Sequence, residues 1–153
     1  MSSHILTRVQ KLPISLAEAW EFFSSPGNLQ KITPAKMNFR ILSNTGSGGM
    51  YAGQIITYKV SPLLGLPLFW MTEITHLQPG VYFIDEQRVG PYAIWHHEHR
   101  FREVEGGVEM TDIVTYKLPF GIFGTLAHAV FVRREVEGIF DHRQQVLETY
   151  FGG

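Results

Sequence analysis

The stretch from Trp95 to Leu118 reads WHHEHRFREVEGGVEMTDIVTYKL and predicts a β-hairpin. Apolar and polar residues alternate on both sides of Gly106-Gly107, which is the period of a strand with one buried face. If the two glycines form a two-residue turn, Glu105 lies opposite Val108. The alternation then assigns each side chain of the hairpin to one of two faces.

The two faces of this hairpin differ in chemistry. The predicted solvent face carries His96, Glu98, Arg100, Arg102, Glu109, Thr111, Thr115 and Lys117. The predicted inner face carries Trp95, His97, His99, Phe101, Met110, Asp112, Val114, Tyr116 and Leu118. Two histidines and an aspartate are more polar than a packed core tolerates without a reason. The inner face is therefore where we look first for a functional site.

A second hairpin is predicted around Pro79-Gly80, and it extends the same inner face. Its pairing sets Ile74 opposite Asp85 and Thr72 opposite Gln87. The inner side chains would then be Trp70, Thr72, Ile74, His76, Phe83, Asp85 and Gln87. A three-residue connection or a bulge around Gly90-Pro91 would connect this hairpin to the next one in the required register. Asp85 is then expected opposite or diagonal to His97.

The rest of the chain predicts an α+β fold in the order β-α-α-β6-α. A strand over 5–12 precedes a helix that Ser15 and Glu18 begin as a capping box, and a short helix follows over 28–32. Six strands are predicted near 37–43, 52–60, 68–77, 81–88, 93–104 and 108–118. A period of 3.6 from Leu126 to Tyr150, with Arg143 in its stripe, predicts a long final helix. We expect a curved seven-stranded antiparallel sheet around that helix, with a pocket between them.

Composition limits the classes of function. The 153 residues predict a single domain over 1–153, and thirteen basic against fourteen acidic residues leave no excess charge for a nucleic acid. The absence of cysteine excludes thiol chemistry and thiolate metal sites. No leader or membrane-spanning segment is predicted, so a cytoplasmic protein without stable membrane insertion is expected. No cofactor is expected either.

Gly138 interrupts the pattern of the final helix. Glycine inside a helix costs about 1 kcal/mol relative to alanine, and here it predicts a bend or a close backbone approach.

Four interpretations of His97, His99, Asp85 and Asp112 stay open. They form a structural hydrogen-bond network, the polar end of a ligand pocket, a metal site of the His-x-His type, or a His-Asp pair for acid–base catalysis.

The alternating pattern resembles the SRPBCC superfamily, the helix-grip proteins that include START, Bet v 1-like and polyketide cyclase/dehydrase families. The motifs that carry the resemblance are Trp70-x-Thr-x-Ile74, Phe83-x-Asp85-x-Gln87, Gly90-Pro91-Tyr92, Trp95-x-His97-x-His99-x-Phe101 and Met110-x-Asp112-x-Val114-x-Tyr116-x-Leu118-Pro119. Within the superfamily, the chain is most similar to bacterial ligand-binding domains that also occur fused to epimerase-like proteins labelled "cell division inhibitor". Since no epimerase-like domain is attached here, a partner enzyme would be a separate chain.

The resemblance implies a hydrophobic cavity between sheet and final helix, and it does not imply one activity. We expect the cavity to bind a hydrophobic or amphipathic molecule such as a lipid, an isoprenoid or an aromatic polyketide. The candidate ligand-binding residues are Trp70, Thr72, Phe83, Asp85, Gln87, Trp95, His97, His99, Phe101, Asp112, Tyr116, Val136 and Phe140. One alternative is a cyclase or dehydratase that uses a His-Asp pair drawn from His97, His99, Asp85 and Asp112. Another is an interaction module with a filled core.

Overall fold

A computed structural model describes residues 3–45, 49–61 and 66–152. The strands are β1 (His4–Leu12), β2 (Arg40–Asn44), β3 (Ile55–Val60), β4 (Leu68–Gln78), β5 (Tyr82–Val89), β6 (Ile94–Val104) and β7 (Gly107–Lys117). The helices are α1 (Leu16–Phe23), α2 (Ile122–Ala127) and α3 (Arg133–Phe151), with a π-helical turn at His128–Val132. The predicted order of strands and helices is confirmed, except for the short helix predicted over 28–32.

The strands form a seven-stranded antiparallel sheet in the order β1-β7-β6-β5-β4-β3-β2. Each strand from β2 to β6 pairs with the strand that follows it in sequence, and β1 pairs with β7 at one edge of the sheet. The inner face packs against α1 and α3 through clusters centred on Ile74, Val114 and Trp70. This is the α+β arrangement that the alternation predicted.

The first helix begins where the capping box predicted. The Ser15 side chain accepts a hydrogen bond from the Glu18 backbone N–H at 3.1 Å, which satisfies a donor that the helix itself cannot pair. The short helix predicted over 28–32 is instead a series of 3₁₀ turns at Pro26–Asn28, Gln30–Ile32 and Ala35–Met37. These turns cover the inner face of the sheet beside α1.

The turn between β6 and β7 differs from the prediction by one position. Val104 pairs with Gly107, so the turn residues are Glu105 and Gly106, and Gly106 has the positive φ of 81° that favours glycine. Gly107 serves a different purpose, because a Cβ there would lie 2.0 Å from the carbonyl oxygen of Leu12. The predicted pairing of Glu105 with Val108 is therefore wrong. The register moves by two residues, and since two is the side-chain period, every predicted face is preserved.

A bulge in β4 reverses one predicted orientation. Thr72 pairs with Gln87 and Ile74 with Asp85, as predicted, but the register shifts between Ile74 and His76. His76 is consequently exposed rather than inward, and the next residue, Leu77, packs against the core. An extra residue in one strand of an antiparallel pair produces such a reversal. Asp85 lies directly opposite His97, as predicted, and the paired residues of β5 and β6 keep one register without a bulge.

The final helical segment begins earlier than predicted, at Ile122, and runs through the π-helical turn into α3. Gly138 is exposed, and a Cβ there would meet nothing within 4 Å, so the expected close approach is wrong. The irregular turn lies nearer the start of the segment, at His128–Val132. None of the helices in the described ranges offers an apolar stretch long enough to cross a bilayer.

Candidate functional site

A cavity of about 170 Å³ lies between the inner face of the sheet and the helices. Eight of the thirteen predicted ligand-binding residues line it: Trp70, Thr72, Phe83, Asp85, Trp95, His97, His99 and Phe140. The other five lie beside the cavity or in the core and are absent from its wall: Gln87, Phe101, Asp112, Tyr116 and Val136. The wall is mostly aromatic and aliphatic, with one polar side.

The polar side consists of two stacked histidines between two carboxylates, which we call the His-Asp cluster: His97, His99, Asp85 and Asp112. His97 Nε2 lies 2.8 Å from Asp112 Oδ1, and His99 Nε2 lies 2.5 Å from Asp85 Oδ2. The two imidazole rings stack with centroids 3.6 Å apart. Because an ionised carboxylate can only accept, each Nε2 carries the proton and donates it.

The sheet register explains why these four side chains meet. Asp85 lies opposite His97 across β5 and β6, and His99 lies opposite Asp112 across β6 and β7. Each hydrogen bond nevertheless runs diagonally, from His99 to Asp85 and from His97 to Asp112. Diagonal neighbours across a sheet are within reach of long side chains. All four residues are therefore fixed by backbone pairing as well as by their own bonds.

Arg143 completes the site from the helix side. Its guanidinium Nη2 lies 3.6 Å from Asp112 Oδ1, and it sits over the rings of Phe23 and Phe140 at 5.4 and 5.7 Å. The side chain is about nine-tenths buried and lines the cavity. Its Nε is buried without a hydrogen-bond partner among the described residues. A buried guanidinium with unused donors is unusual, because polar groups removed from water are normally paired.

The two carboxylates of the cluster are ionised. Burial by itself would raise the pKa of Asp112, but the Arg143 charge and the His97 hydrogen bond outweigh it and hold that pKa well below its ordinary 3.8. The pKa of Asp85 is lowered in the same way, since the His99 hydrogen bond and the nearby histidines outweigh burial. Both carboxylates are thus charged at neutral pH, against one guanidinium.

His99 is uncharged at neutral pH. Burial lowers its pKa to about 4, assisted by the neighbouring His97 and opposed by the hydrogen bond to Asp85. Its Nδ1 is buried and has no hydrogen-bond partner in the described part of the chain. With the proton on Nε2, this Nδ1 presents a lone pair that nothing satisfies.

Hydrogen bonds that meet at the Thr72 hydroxyl connect two aromatic residues of the cavity wall. Trp70 Nε1 donates to Thr72 Oγ1 at 3.0 Å, and the Tyr58 hydroxyl lies 3.1 Å from the same oxygen. The Tyr58 and Trp70 rings stack 6.0 Å apart. Burial, and then the charge of Asp85, raises the pKa of Tyr58, so the phenol stays protonated.

Gln87 shapes a loop instead of lining the cavity. Its amide Nε2 donates to the Tyr92 carbonyl at 2.6 Å, and its Oε1 accepts from the Tyr92 N–H at 2.9 Å. A Cβ on Gly90 would collide with this side chain at 2.4 Å. The Gly90-Pro91-Tyr92 motif therefore packs around the Gln87 side chain. The two hydrogen bonds to Gln87 fix the backbone of Tyr92, which lines the cavity.

The arrangement can support more than one kind of chemistry. Asp85, His97 and His99 each offer a ligand atom, and those atoms lie within 4.8 Å of one another, which is compatible with a divalent metal. Binding a metal there would displace the His99–Asp85 hydrogen bond. Without a metal, the cluster offers a ligand the carboxylate of Asp85, which lines the cavity, and the donors of Arg143.

Arg143 and Tyr58 are the functional candidates that sequence reasoning missed. The period of the final helix places Arg143 in its apolar stripe, and a charged residue in such a stripe is a signal for a buried polar role. Tyr58 lies in β3, where Ile56, Tyr58 and Val60 line the cavity at alternate positions, and it pairs with Trp70. Strand alternation was therefore a signal that could have found it.

Comparison with solved structures identifies the fold. Protein CV1439 from Chromobacterium violaceum superposes with a TM-score of 0.74 at 12% identity, covering 98% of this chain and 99% of that one. TTHA0849 from Thermus thermophilus gives 0.70 at 13% identity, covering 96% and 99%. Major latex-like protein 151 from Panax ginseng gives 0.69 at 12%, covering 97% of each chain. The chain has the helix-grip fold.

The helix-grip assignment comes from structure, because sequence comparison finds nothing. No family model matches the chain, and no curated protein does. At 12–13% identity the structural likeness shows the fold and leaves the ligand open. Function therefore has to be inferred from the cavity and its residues.

Proposed function

We propose that the protein binds a hydrophobic or amphipathic small molecule in the cavity under the final helix, with the polar end of the ligand at the His-Asp cluster. The single observation that carries the proposal is the composition of the wall. Aromatic and aliphatic side chains make up most of the wall of a space of about 170 Å³, and its lining carboxylate and imidazole groups, Asp85, His97 and His99, lie together. A lipid, an isoprenoid or an aromatic polyketide has the matching division into apolar body and polar end.

Two details support a ligand over a purely structural cluster. His99 Nδ1 and Arg143 Nε are buried polar atoms without partners among the described residues. A network that served only the fold would satisfy its own members, since each unpaired buried group costs about 1–3 kcal/mol. A bound molecule that offers an acceptor to Arg143 Nε explains why that donor is left open.

The enzymatic alternative, a cyclase or dehydratase that uses a His-Asp pair, has weaker support. A general base acts best when its pKa lies near the working pH. Burial lowers the pKa of His99 to about 4, which makes it a poor base at pH 7. We therefore prefer binding by a single domain over 1–153. Cytoplasmic location and a separate enzyme that supplies or consumes the ligand stay predictions.

The test uses two adjacent residues of β2. Ile41 lines the cavity, whereas its neighbour Leu42, at the bulge between Ile41 and Ser43, is 45% exposed and is absent from the cavity wall. Ile41→Trp should fill the cavity, and Leu42→Trp should add the same bulk outside it. Uptake of the neutral fluorescent probe N-phenyl-1-naphthylamine is measured for the wild-type protein and both variants, together with mass spectrometry of an organic extract of each purified protein.

We expect the wild-type protein and Leu42→Trp to take up the probe with equal affinity and Ile41→Trp to bind it at least about tenfold more weakly. A co-purified molecule should be present in the first two proteins and depleted in the third. Equal uptake by all three proteins, or no uptake and no extracted molecule from the wild-type protein, would refute binding in this cavity.

A further inference from the structure

We infer that Arg143 is the docking group for the ligand and that the ligand presents an uncharged carbonyl oxygen, as in a ketone or an ester, to its guanidinium. The inference rests on the proposed function and names the class of molecule that the cavity takes. It starts from Arg143 because, among the described residues that line this cavity, Arg143 is the one arginine or lysine, and its Nε has no partner.

The guanidinium carries five N–H donors in a planar fork. Its Nε is buried without a partner, and its approach to Asp112 is 3.6 Å, which is an ion-pair distance too long for a hydrogen bond. No other carboxylate lies within ion-pair distance of Arg143 in the described residues. Since no described residue supplies an acceptor to Nε, the acceptor has to come from whatever occupies the cavity.

The surroundings of Arg143 orient its donors. The guanidinium lies over Phe23 and Phe140, which support its face and leave its N–H edge for an acceptor. Phe23, Phe140 and Arg143 all line the cavity. A ligand oxygen at this edge would leave the apolar body of the molecule among the aromatic side chains of the wall.

Charge decides which kind of oxygen fits. Asp112 lies 3.6 Å from the guanidinium and Asp85 lines the same cavity, and the lowered pKa values of both keep them ionised at pH 7. A ligand carboxylate would place a third negative charge in this buried space, where Coulomb repulsion is strong. A carbonyl oxygen accepts the same hydrogen bonds without that cost, whereas an ammonium group has no lone pair to accept them.

The experiment compares three probes with eight-carbon chains: 2-octanone, octanoate and octylamine. Dissociation constants are measured by calorimetry at pH 7 for the wild-type protein, for Arg143→Met and for the control Arg134→Met, which alters an exposed arginine of the same helix. The infrared carbonyl stretch of ¹³C-labelled 2-octanone bound to the wild-type protein is recorded as well, so that one readout does not depend on a variant that folds.

We expect 2-octanone to bind the wild-type protein and Arg134→Met most tightly, and Arg143→Met to bind it about 10- to 100-fold more weakly, the usual effect of a lost hydrogen bond to a charged group. The carbonyl stretch should lie at lower frequency in the wild-type complex than in hexane. Tightest binding of octanoate or octylamine, or a carbonyl stretch unchanged from hexane, would overturn the inference while leaving the proposed function intact. No binding of any probe would overturn the proposed function itself.

Discussion

The inner and outer faces of β6 and β7 each hold a contact between a nitrogen-bearing side chain and a carboxylate, in opposite environments. On the outer face, Arg102 Nη2 lies 2.9 Å from Glu109 Oε1, and the arginine side chain is 71% exposed. On the inner face, His97 lies 2.8 Å from Asp112, and both side chains are almost completely buried. The distances are nearly equal, so distance alone does not separate the two contacts.

Burial makes the two contacts differ in energy. Exposed ion pairs contribute about 0–1 kcal/mol, because water already solvates both charges. A buried charge that loses its partner costs several kcal/mol, because nothing replaces the partner. The polar residues of the inner face therefore carry a free-energy cost of burial, and the fold retains them beside a cavity. Three predictions test or sharpen this contrast.

The largest effect is expected at Asp112. The substitution Asp112→Ala leaves both His97 and Arg143 buried without their carboxylate, and it should lower the free energy of unfolding by about 3–5 kcal/mol. Glu109→Ala, on the outer face of the same strand, should lower it by less than about 1 kcal/mol. Urea unfolding followed by circular dichroism gives both values, and similar losses for the two variants would remove the contrast between the faces.

An intermediate effect is expected from pH. Burial holds the native pKa of His99 near 4, below its ordinary 6.5, so the unfolded chain takes up a proton first as the pH falls. The stability present above pH 6.5 should therefore decrease between pH 6.5 and 4, with a slope of up to about 1 kcal/mol per pH unit. Below that window, protonation of Asp85 and Asp112, whose native pKa values are lowered, should decrease it further.

Matched variants assign this slope to its residue. His99→Gln keeps a donor for Asp85 but does not titrate, so the decrease between pH 6.5 and 4 should become shallower. His96→Gln, one strand position from His97 on the outer face, should retain the wild-type slope. Thermal unfolding at half-unit pH steps measures all three proteins, and an unchanged slope in His99→Gln would show that other groups cause the acid sensitivity.

The smallest effect extends the contrast to α3, which carries Arg143 on its inner side and Gly138 on its outer side. Gly138 is exposed, and an added Cβ would meet nothing within 4 Å. Gly138→Ala should raise the free energy of unfolding by up to about 1 kcal/mol through helix propensity. Probe affinity should not change, because the methyl group points away from the cavity wall. A loss of stability would indicate a contact or a bend at this position after all.

Most of the fold could be predicted from sequence because alternation is a local signal. The predicted inner faces of β6 and β7 are correct although the predicted turn is wrong, because a register error of two residues leaves each side chain on the same face. His76 shows the limit of that reasoning. No glycine or proline marks the bulge between Ile74 and His76 in the sequence, so alternation alone predicts the wrong face for His76.

The candidate site was predictable where it lies on strands and less so where it lies on helices. His97, His99 and Asp85 followed from strand pairing, but the distinction between the cavity wall and the packed core did not. Asp112 and Tyr116 share the inner face with His97 without lining the cavity, because which inner side chain meets empty space depends on how the helix packs. Arg143 was missed because a helical stripe shows which residues are buried but not which lie beside a cavity.

The central claim, that the cavity holds an amphipathic molecule with its polar end at Arg143 and the His-Asp cluster, is tested most directly by a crystal structure of the protein grown with 2-octanone. We predict continuous density among Trp70, Phe83 and Trp95, with the carbonyl oxygen within hydrogen-bond distance of the Arg143 guanidinium. A cavity that contains only ordered water, or one closed by its own side chains at saturating ketone, would contradict the account.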